Sequence, residues 1–140
     1  MSDDLILRVV SKFLIPVIVL FGLYVQFHGE YGPGGGFQAG VILGSAVILY
    51  LLVFGAEAAR KAVPEKWLRW QAAAGVLLYA GTGVTTLLLG GNFLDYGRLA
   101  VDPVAGQHLG IILIELGVML TVSSTIALLA MLFAESPESP

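Results

Sequence analysis

The chain contains no cysteine among its 140 residues and few charged residues, because Asp, Glu, Lys and Arg together make up only 12%. The absence of cysteine excludes disulfide bonds and thiolate metal sites. Soluble domains carry about 25% charged residues, so this chain is poorly suited to an aqueous surface. Its seven basic residues and net charge of −3 provide no dense positive patch for a nucleic acid. These deficits favour a protein that is embedded in lipid.

Apolar residues take the place of the missing charges: 57% of the chain is hydrophobic and its mean hydropathy is +0.89. A transmembrane helix needs about 20 mainly apolar residues. Four segments meet this requirement, at about residues 5–27, 37–54, 70–89 and 109–133. Continuous apolar blocks differ from the alternating strands of a membrane barrel. We therefore predict an all-α integral membrane protein with four transmembrane helices, forming one domain over residues 1–140 and ending in a disordered tail at 134–140.

The basic residues predict how the chain is oriented. Six of the seven lie before the uncharged part of the first predicted span, which starts at residue 13, or between the second and third spans: Arg8, Lys12, Arg60, Lys61, Lys66 and Arg69. Only Arg98 lies between the third and fourth spans. The positive-inside rule then places the N-terminus, the middle loop and the C-terminus in the cytoplasm. In the outer loop, at residues 90–108, the pair Asp102–Pro103 is predicted to form a turn.

The stretch HGEYGPGGGFQAG, residues 28–40, joins the first two spans at the predicted outer face. Its spacing matches neither a dinucleotide fingerprint nor a P-loop, and no potassium-filter sequence accompanies it. Glycine and proline favour a tight turn. Gly36, Gly40 and Gly44 also recur every four residues, which lets another helix approach closely. Helix packing and a place beside an ion path are compatible interpretations, since irregular backbone at membrane depth must be covered or must line a cavity.

Glu115 is the one charged residue within the fourth predicted span. At 1.5 Å per residue it should lie roughly 10–14 Å below the outer end of that span. Ionisable groups at such depth are costly and mark ion paths by default. His108 lies two helical turns earlier, so the pair is a candidate relay from outer water. The alternatives are a carboxyl group that holds subunits together and a histidine at the interface.

Residues for enzyme chemistry are not grouped in this sequence. It has neither a Ser/His/Asp arrangement nor metal-ligand spacing, and Glu115 has no second carboxylate in its span. A single intramembrane acid is also too few for a complete transport path. If the chain contacts an ion path, partner chains must supply the rest of it.

The segment from Phe13 to Leu49 resembles the MrpB/MnhB component of Mrp-type multisubunit Na⁺/H⁺ antiporters. The resemblance lies in a first span ending GLYVQFHG and in the PGGGFQ motif that begins the second. By position, the motif residues of the family fall on Pro33, Gly34, Gly35, Gly36, Phe37 and Gln38. One departure is Ala39, where the family often has glycine. Alanine is also small, so close packing is retained.

The resemblance implies a bacterial plasma-membrane complex of about seven different chains, surrounded by lipid. Such a complex exports sodium in exchange for protons, driven by the proton-motive force, and supports pH homeostasis. It implies no cofactor beyond the transported Na⁺ and H⁺, no nucleic-acid partner and no enzyme activity. The alternative is a structural or assembly subunit of a related respiratory or hydrogenase-type complex, without ion contact. Glu115 and His108 as ion-path candidates come from depth and charge, and not from the motif.

Overall fold

The computed structural model describes residues 5–28 and 35–135. Within these two ranges the chain forms five α-helices: α1 (Leu5–His28), α2 (Gly36–Phe54), α3 (Ala56–Ala62), α4 (Glu65–Leu88) and α5 (Pro103–Glu135). A 3-10 turn at Tyr96–Leu99 interrupts the connection between α4 and α5. Helices α1, α2, α4 and α5 are long and apolar enough to cross a membrane. The prediction of an all-α protein with four transmembrane helices is confirmed.

Two helices begin earlier than the sequence predicts. Helix α4 starts at Glu65 instead of residue 70, and its first turns include Lys66 and Arg69. A span predicted from hydropathy stops at the first charged residue. The helix itself continues into the headgroup layer, because its charged side chains can extend toward water. Helix α5 likewise extends beyond residues 109–133 at both ends. The predicted tail is therefore wrong at residues 134 and 135, and residues 136–140 lie outside the described part.

The Asp102–Pro103 pair begins a helix, so the prediction of a turn is corrected. The Asp102 Oδ1 atom accepts a hydrogen bond from the Val104 backbone N–H at 3.1 Å. This contact satisfies one of the free N–H groups at the start of a helix. Pro103 is the first residue of α5, where a missing N–H costs nothing. An aspartate followed by proline is thus a helix start here.

The four long helices pack in an open row in the order α1, α2, α5, α4. Helix α1 packs mainly on α2, and α5 contacts both α2 and α4 extensively. In the described residues, α1 and α4 share no substantial interface, and neither do α2 and α4. The short helix α3 contributes Ala59 to an apolar cluster with Leu51, Leu68 and Met131, which links α2, α4 and α5 at one end.

Helices α2 and α5 run parallel and approach through glycine. A methyl group placed on Gly40 would lie 2.7 Å from the Cβ atom of Val122. One placed on Gly44 would lie 2.9 Å from a methyl carbon of Ile126. The small residues that repeat every four positions along α2 therefore contact α5 of the same chain.

Helices α4 and α5 run antiparallel and combine close backbone contact with hydrogen bonds. A methyl group on Gly75 would lie 2.5 Å from the Gly117 carbonyl oxygen, and one on Gly117 would lie 2.8 Å from the Gly75 carbonyl oxygen. Nearby, the Thr121 hydroxyl donates to the Ala72 carbonyl at 2.9 Å. The Gln71 amide donates to the Ser123 hydroxyl at 3.1 Å. Small residues and polar bridges are the usual means of helix association in lipid.

Much of the row remains uncovered by this chain. In the most apolar window of α1 only 11% of residues are buried, and α4 reaches only 22%. Large apolar side chains such as Phe13, Leu20 and Leu77 are about two-thirds exposed or more. Apolar faces of this extent need lipid or other protein chains around them.

Candidate ion-path site

Glu115 lies in the middle third of α5 and contacts the start of α2. At 1.5 Å per residue it is about 18 Å along the helix from Pro103. A Cβ atom on Gly35 would overlap the Glu115 Oε2 atom, and one on Gly36 would overlap the Glu115 backbone carbonyl oxygen. The carboxylate therefore reaches the N-terminal end of α2 because two consecutive residues there lack side chains.

Gly35 is needed here for a second reason, which is its backbone conformation. Its φ angle is 142°, a value that L side chains rarely adopt. As the N-cap residue of α2 it offers no side-chain hydrogen bond to the first turn. The free N–H groups and the helix dipole there favour a negative charge, which the Glu115 carboxylate can supply. The glycines of the motif thus place an acid beside a helix N-terminus.

The Tyr96 phenol lies within electrostatic reach of both Glu115 and Tyr79. The pKa of the Tyr96 phenol is raised above its usual value by burial first, and then by the charges of Tyr79 and Glu115. Tyr96 comes from the 3-10 turn and Tyr79 from α4, so four separate elements contribute to this region. The carboxylate and the phenols provide oxygen atoms that can accept a proton or contact a cation.

The connection between α4 and α5 packs down onto the helices. The Phe93 ring occupies the space that a Gly83 side chain would need, and the Tyr96 ring does the same at Gly110. A side chain on Gly106 would overlap the Tyr96 carbonyl oxygen. Sequence reasoning treated this stretch as a plain loop and missed Tyr96. The sequence feature that could have indicated this packing is the presence of aromatic residues in a connection between two helices that contain glycine.

No basic side chain neutralises Glu115 within residues 5–28 and 35–135. No hydrogen bond or salt bridge to its carboxylate occurs among them, and Arg98 in the nearby turn lies 3.7 Å from Asp95. The same residues hold no group of three or more His, Asp or Glu side chains that could bind a metal ion. The Glu115 side chain is only partly covered by its own chain. It therefore lies at a surface that other chains can reach.

His108 lies two turns before Glu115 on α5, about 10.5 Å away along the helix axis. The His108 side chain is exposed. The two residues share a helix and almost a face, but this separation is too long for a direct hydrogen bond between them. A relay between them therefore stays a prediction.

The motif residues have different positions. Pro33 and Gly34 lie outside the described residues. Gly36 is buried against α5, like Gly40 and Gly44, whereas Phe37 and Gln38 are exposed. Gln26, two residues before the end of α1, has a buried side chain. Its Oε1 atom has no hydrogen-bond partner in the described part of the chain.

The comparison that decides the family covers nearly all of this fold. A family model described as a domain related to the MnhB subunit of Na⁺/H⁺ antiporter matches residues 6–128. The chain belongs to the MnhB family. The resemblance seen in the sequence is thereby confirmed over all four transmembrane helices.

Named members of the MnhB family align over almost their whole length. The Na(+)/H(+) antiporter B component of Bacillus subtilis (strain 168) is 32% identical over 135 residues, which cover 89% of this chain and 94% of that protein. A Staphylococcus aureus (strain Newman) protein named as antiporter subunit mnhB2 is 35% identical over 128 residues, 89% of this chain and 90% of its own. This MnhB-family chain is therefore an antiporter subunit of the plasma membrane that spans it several times. It is a transport protein and not an enzyme, and its partners are other antiporter subunits.

Proposed function

We propose that this chain belongs to a complex that exports Na⁺ in exchange for H⁺, using the proton-motive force, and that Glu115 borders the cation path. The observation that carries the proposal is the contact of the Glu115 carboxylate with Gly35 at the start of α2. The names of the relatives from Bacillus subtilis and Staphylococcus aureus support the antiport reaction.

The physical argument starts from the cost of an acid in lipid. A carboxylate within a membrane requires a proton, a cation or hydrogen-bond donors to offset its lost hydration. No arginine or lysine meets it in the described residues, and the absent side chain at Gly35 leaves its Oε2 atom close to the backbone. A group in this situation can exchange a proton for a cation as local concentrations change.

Gln26 provides a second oxygen at a similar level of the row. Helix α1 runs antiparallel to α2, with Gly22 against Leu43. Gln26 is one turn beyond Gly22, and so lies toward the start of α2. Its buried Oε1 atom has no partner in the described residues. Oxygen atoms of amide and carboxylate groups are the ligands that cation paths use.

The path is completed by other chains in this proposal. One acid and an unpaired amide do not form a continuous route through a membrane. Glu115 is only partly buried by its own chain, and much of the surface of α1 and α4 is exposed. Neighbouring subunits and lipid can therefore contact these surfaces. We propose a complex of about seven different chains, with Na⁺ and H⁺ transported and no cofactor in this chain.

Deleting the chain tests the proposed reaction. Everted vesicles from cells that lack it should lose the Na⁺-dependent dissipation of an imposed pH gradient, and expression from a plasmid should restore this activity. Vesicles with unchanged Na⁺-dependent activity after deletion would contradict the proposal. The other subunits should be quantified in the same membranes, so that loss of the whole complex is recognised.

We also propose that both termini are cytoplasmic. Arg8 and Lys12 on α1 lie beside Phe54 at the end of α2, and α3 with its basic residues follows directly. Six basic residues therefore occupy the end of the row that also holds Trp67 and Trp70, as the positive-inside rule and an interfacial aromatic belt require.

The absence of cysteine makes this orientation directly measurable. In intact cells, Asn92→Cys in the α4–α5 connection should react with a membrane-impermeant maleimide. Lys61→Cys on α3 should react only in everted vesicles or after permeabilisation. The opposite pattern would invert the topology.

An assembly role without ion contact is the second candidate function. It is favoured by the partial exposure of Glu115, because a protonated carboxyl group at that surface can hydrogen-bond to a neighbouring subunit. Under this candidate, Glu115 substitutions reduce the recovery of the complex and leave the apparent sodium affinity unchanged.

A further inference from the structure

A cavity lies at the end of the α1–α2 pair opposite to Glu115. It has a volume of about 400 Å³ and is lined by Arg8, Lys12, Ile15, Pro16, Tyr50 and Phe54, with α3 at its edge. Phe54 is the last residue of α2, so the cavity lies about 27 Å along that helix from Gly36. The cavity is thus separate from the proposed ion path.

Two cations face this cavity from neighbouring turns of α1. The Arg8 guanidinium carbon is 5.2 Å from the centre of the Phe54 ring, and the Lys12 ammonium nitrogen is 5.9 Å from the same centre. Both distances fall within the range of a cation–π interaction. Like charges four residues apart on a helix repel each other, so a site that gathers two of them favours an anion.

Three other basic residues near this end of the row are held by carboxylates. Arg60 lies 3.3 Å from Glu65, Arg69 lies 3.5 Å from the same carboxylate, and Lys61 lies 3.8 Å from Glu57. By contrast, Lys12 has no ion pair within the described ranges, and no carboxylate from those ranges lines the cavity. The cavity therefore combines positive charge with space for an anionic group.

The depth of the cavity corresponds to the headgroup layer. Arg8 lies in the first turn of the transmembrane helix α1, and Lys12 lies in the next. Below them the lining becomes apolar, at Ile15 and Pro16, while Tyr50 supplies a hydroxyl group. A polar, positively charged mouth above an apolar wall matches a phosphate group that is attached to acyl chains.

We propose that this cavity binds the phosphate headgroup of an anionic phospholipid, with Arg8 and Lys12 contacting the phosphate and Ile15 and Pro16 contacting the acyl chain. Basic pockets between transmembrane helices bind acidic headgroups in this way. The interaction depends on insertion of α1 and α2 in a membrane, and not on Glu115 or on the direction of transport.

The test measures lipid binding to the antiporter complex purified in mild detergent. Native mass spectrometry of the complex after titration with phosphatidylglycerol should show saturable binding that is absent with phosphatidylcholine. Lys12→Gln should weaken phosphatidylglycerol binding about fivefold, as expected for one charge near an acidic headgroup. Lys12→Arg should keep wild-type binding, and Lys61→Gln is the matched control at an ion-paired lysine and should also bind normally.

Phe54→Leu provides an independent variant, because it keeps apolar volume and removes the ring that orders both cations. Phosphatidylglycerol binding should fall by about two- to fivefold, the value of a partly exposed cation–π contact. Equal binding of both lipids, or wild-type binding by both Lys12→Gln and Phe54→Leu, would overturn the proposal. So would displacement of the lipid by millimolar glycerol phosphate or inorganic phosphate, which would assign the cavity to a soluble anion.

Discussion

Gly75→Ala is expected to lower the thermal stability of the complex and the amount of this chain recovered in it. The added methyl group would overlap the Thr121 hydroxyl and lie 2.5 Å from the Gly117 carbonyl oxygen. Backbone atoms of α5 can move away only if the two helices separate. Separation also weakens the hydrogen bond from Thr121 to the Ala72 carbonyl. Overpacking of this kind typically costs about 1–3 kcal/mol.

Gly81→Ala is the matched control on the same helix. A methyl group at Gly81 meets no atom within 4 Å, and Gly81 is exposed. Its effect should be neutral, or stabilising by up to about 1 kcal/mol, because alanine favours a helix more than glycine does. Thermal melting of the purified complex and co-purification with a tagged partner subunit measure both variants. Equal melting temperatures for Gly75→Ala and Gly81→Ala would show that the α4–α5 contact is looser than the structure indicates.

Glu115→Gln is expected to reduce Na⁺-dependent proton exchange by about tenfold or more, since our proposal places the Glu115 charge beside the cation path. Glutamine has nearly the same size as glutamate, so it fits beside Gly35 and keeps the α2–α5 contact. Assembly of the complex should therefore be retained. Everted vesicles measure exchange, and subunit recovery measures assembly in the same preparation.

Glu57→Gln is the control for the loss of one carboxylate. Glu57 lies on α3, and its side chain is 89% exposed in its pair with Lys61. Its exchange activity should equal that of the wild type. Glu115→Asp, which keeps the charge on a shorter side chain, should retain part of the activity. Normal exchange by Glu115→Gln would remove Glu115 from the ion path. Loss of subunit recovery in this variant, with unaltered sodium affinity in the remaining complex, would favour the assembly role.

The number of transmembrane helices and their approximate positions in the sequence could be predicted from hydropathy alone, because four apolar runs are separated by turn-forming or charged stretches. The starts of α4 and α5 could not be predicted in this way. Lys66 and Arg69 lower the local hydropathy without breaking the helix, and Pro103 suits a helix start as well as a turn. The end of a transmembrane helix depends on whether its charged side chains can reach water. The average hydropathy of a sequence segment does not measure this.

Glu115 could be selected from its charge and depth, whereas its neighbours could not. The contact with Gly35 requires α2 and α5 to be parallel neighbours, and Tyr96 reaches this region only because the α4–α5 connection packs on Gly110. The Gly75–Gly117 contact was likewise missed, since neither glycine belongs to a regular repeat in the sequence. Such pairs are determined by how the helices are arranged, and many arrangements suit the same apolar pattern.

The open arrangement of α1, α2, α5 and α4 has a consequence for where ions can travel. Within the described residues the row is one helix thick and encloses no channel. Under the proposed function, an ion that passes Glu115 therefore moves along an interface whose opposite wall is another polypeptide. Selectivity for the transported ion is then a shared property of two gene products. We expect compensating substitutions for a weakened Glu115 to arise in the neighbouring subunit as readily as in this one.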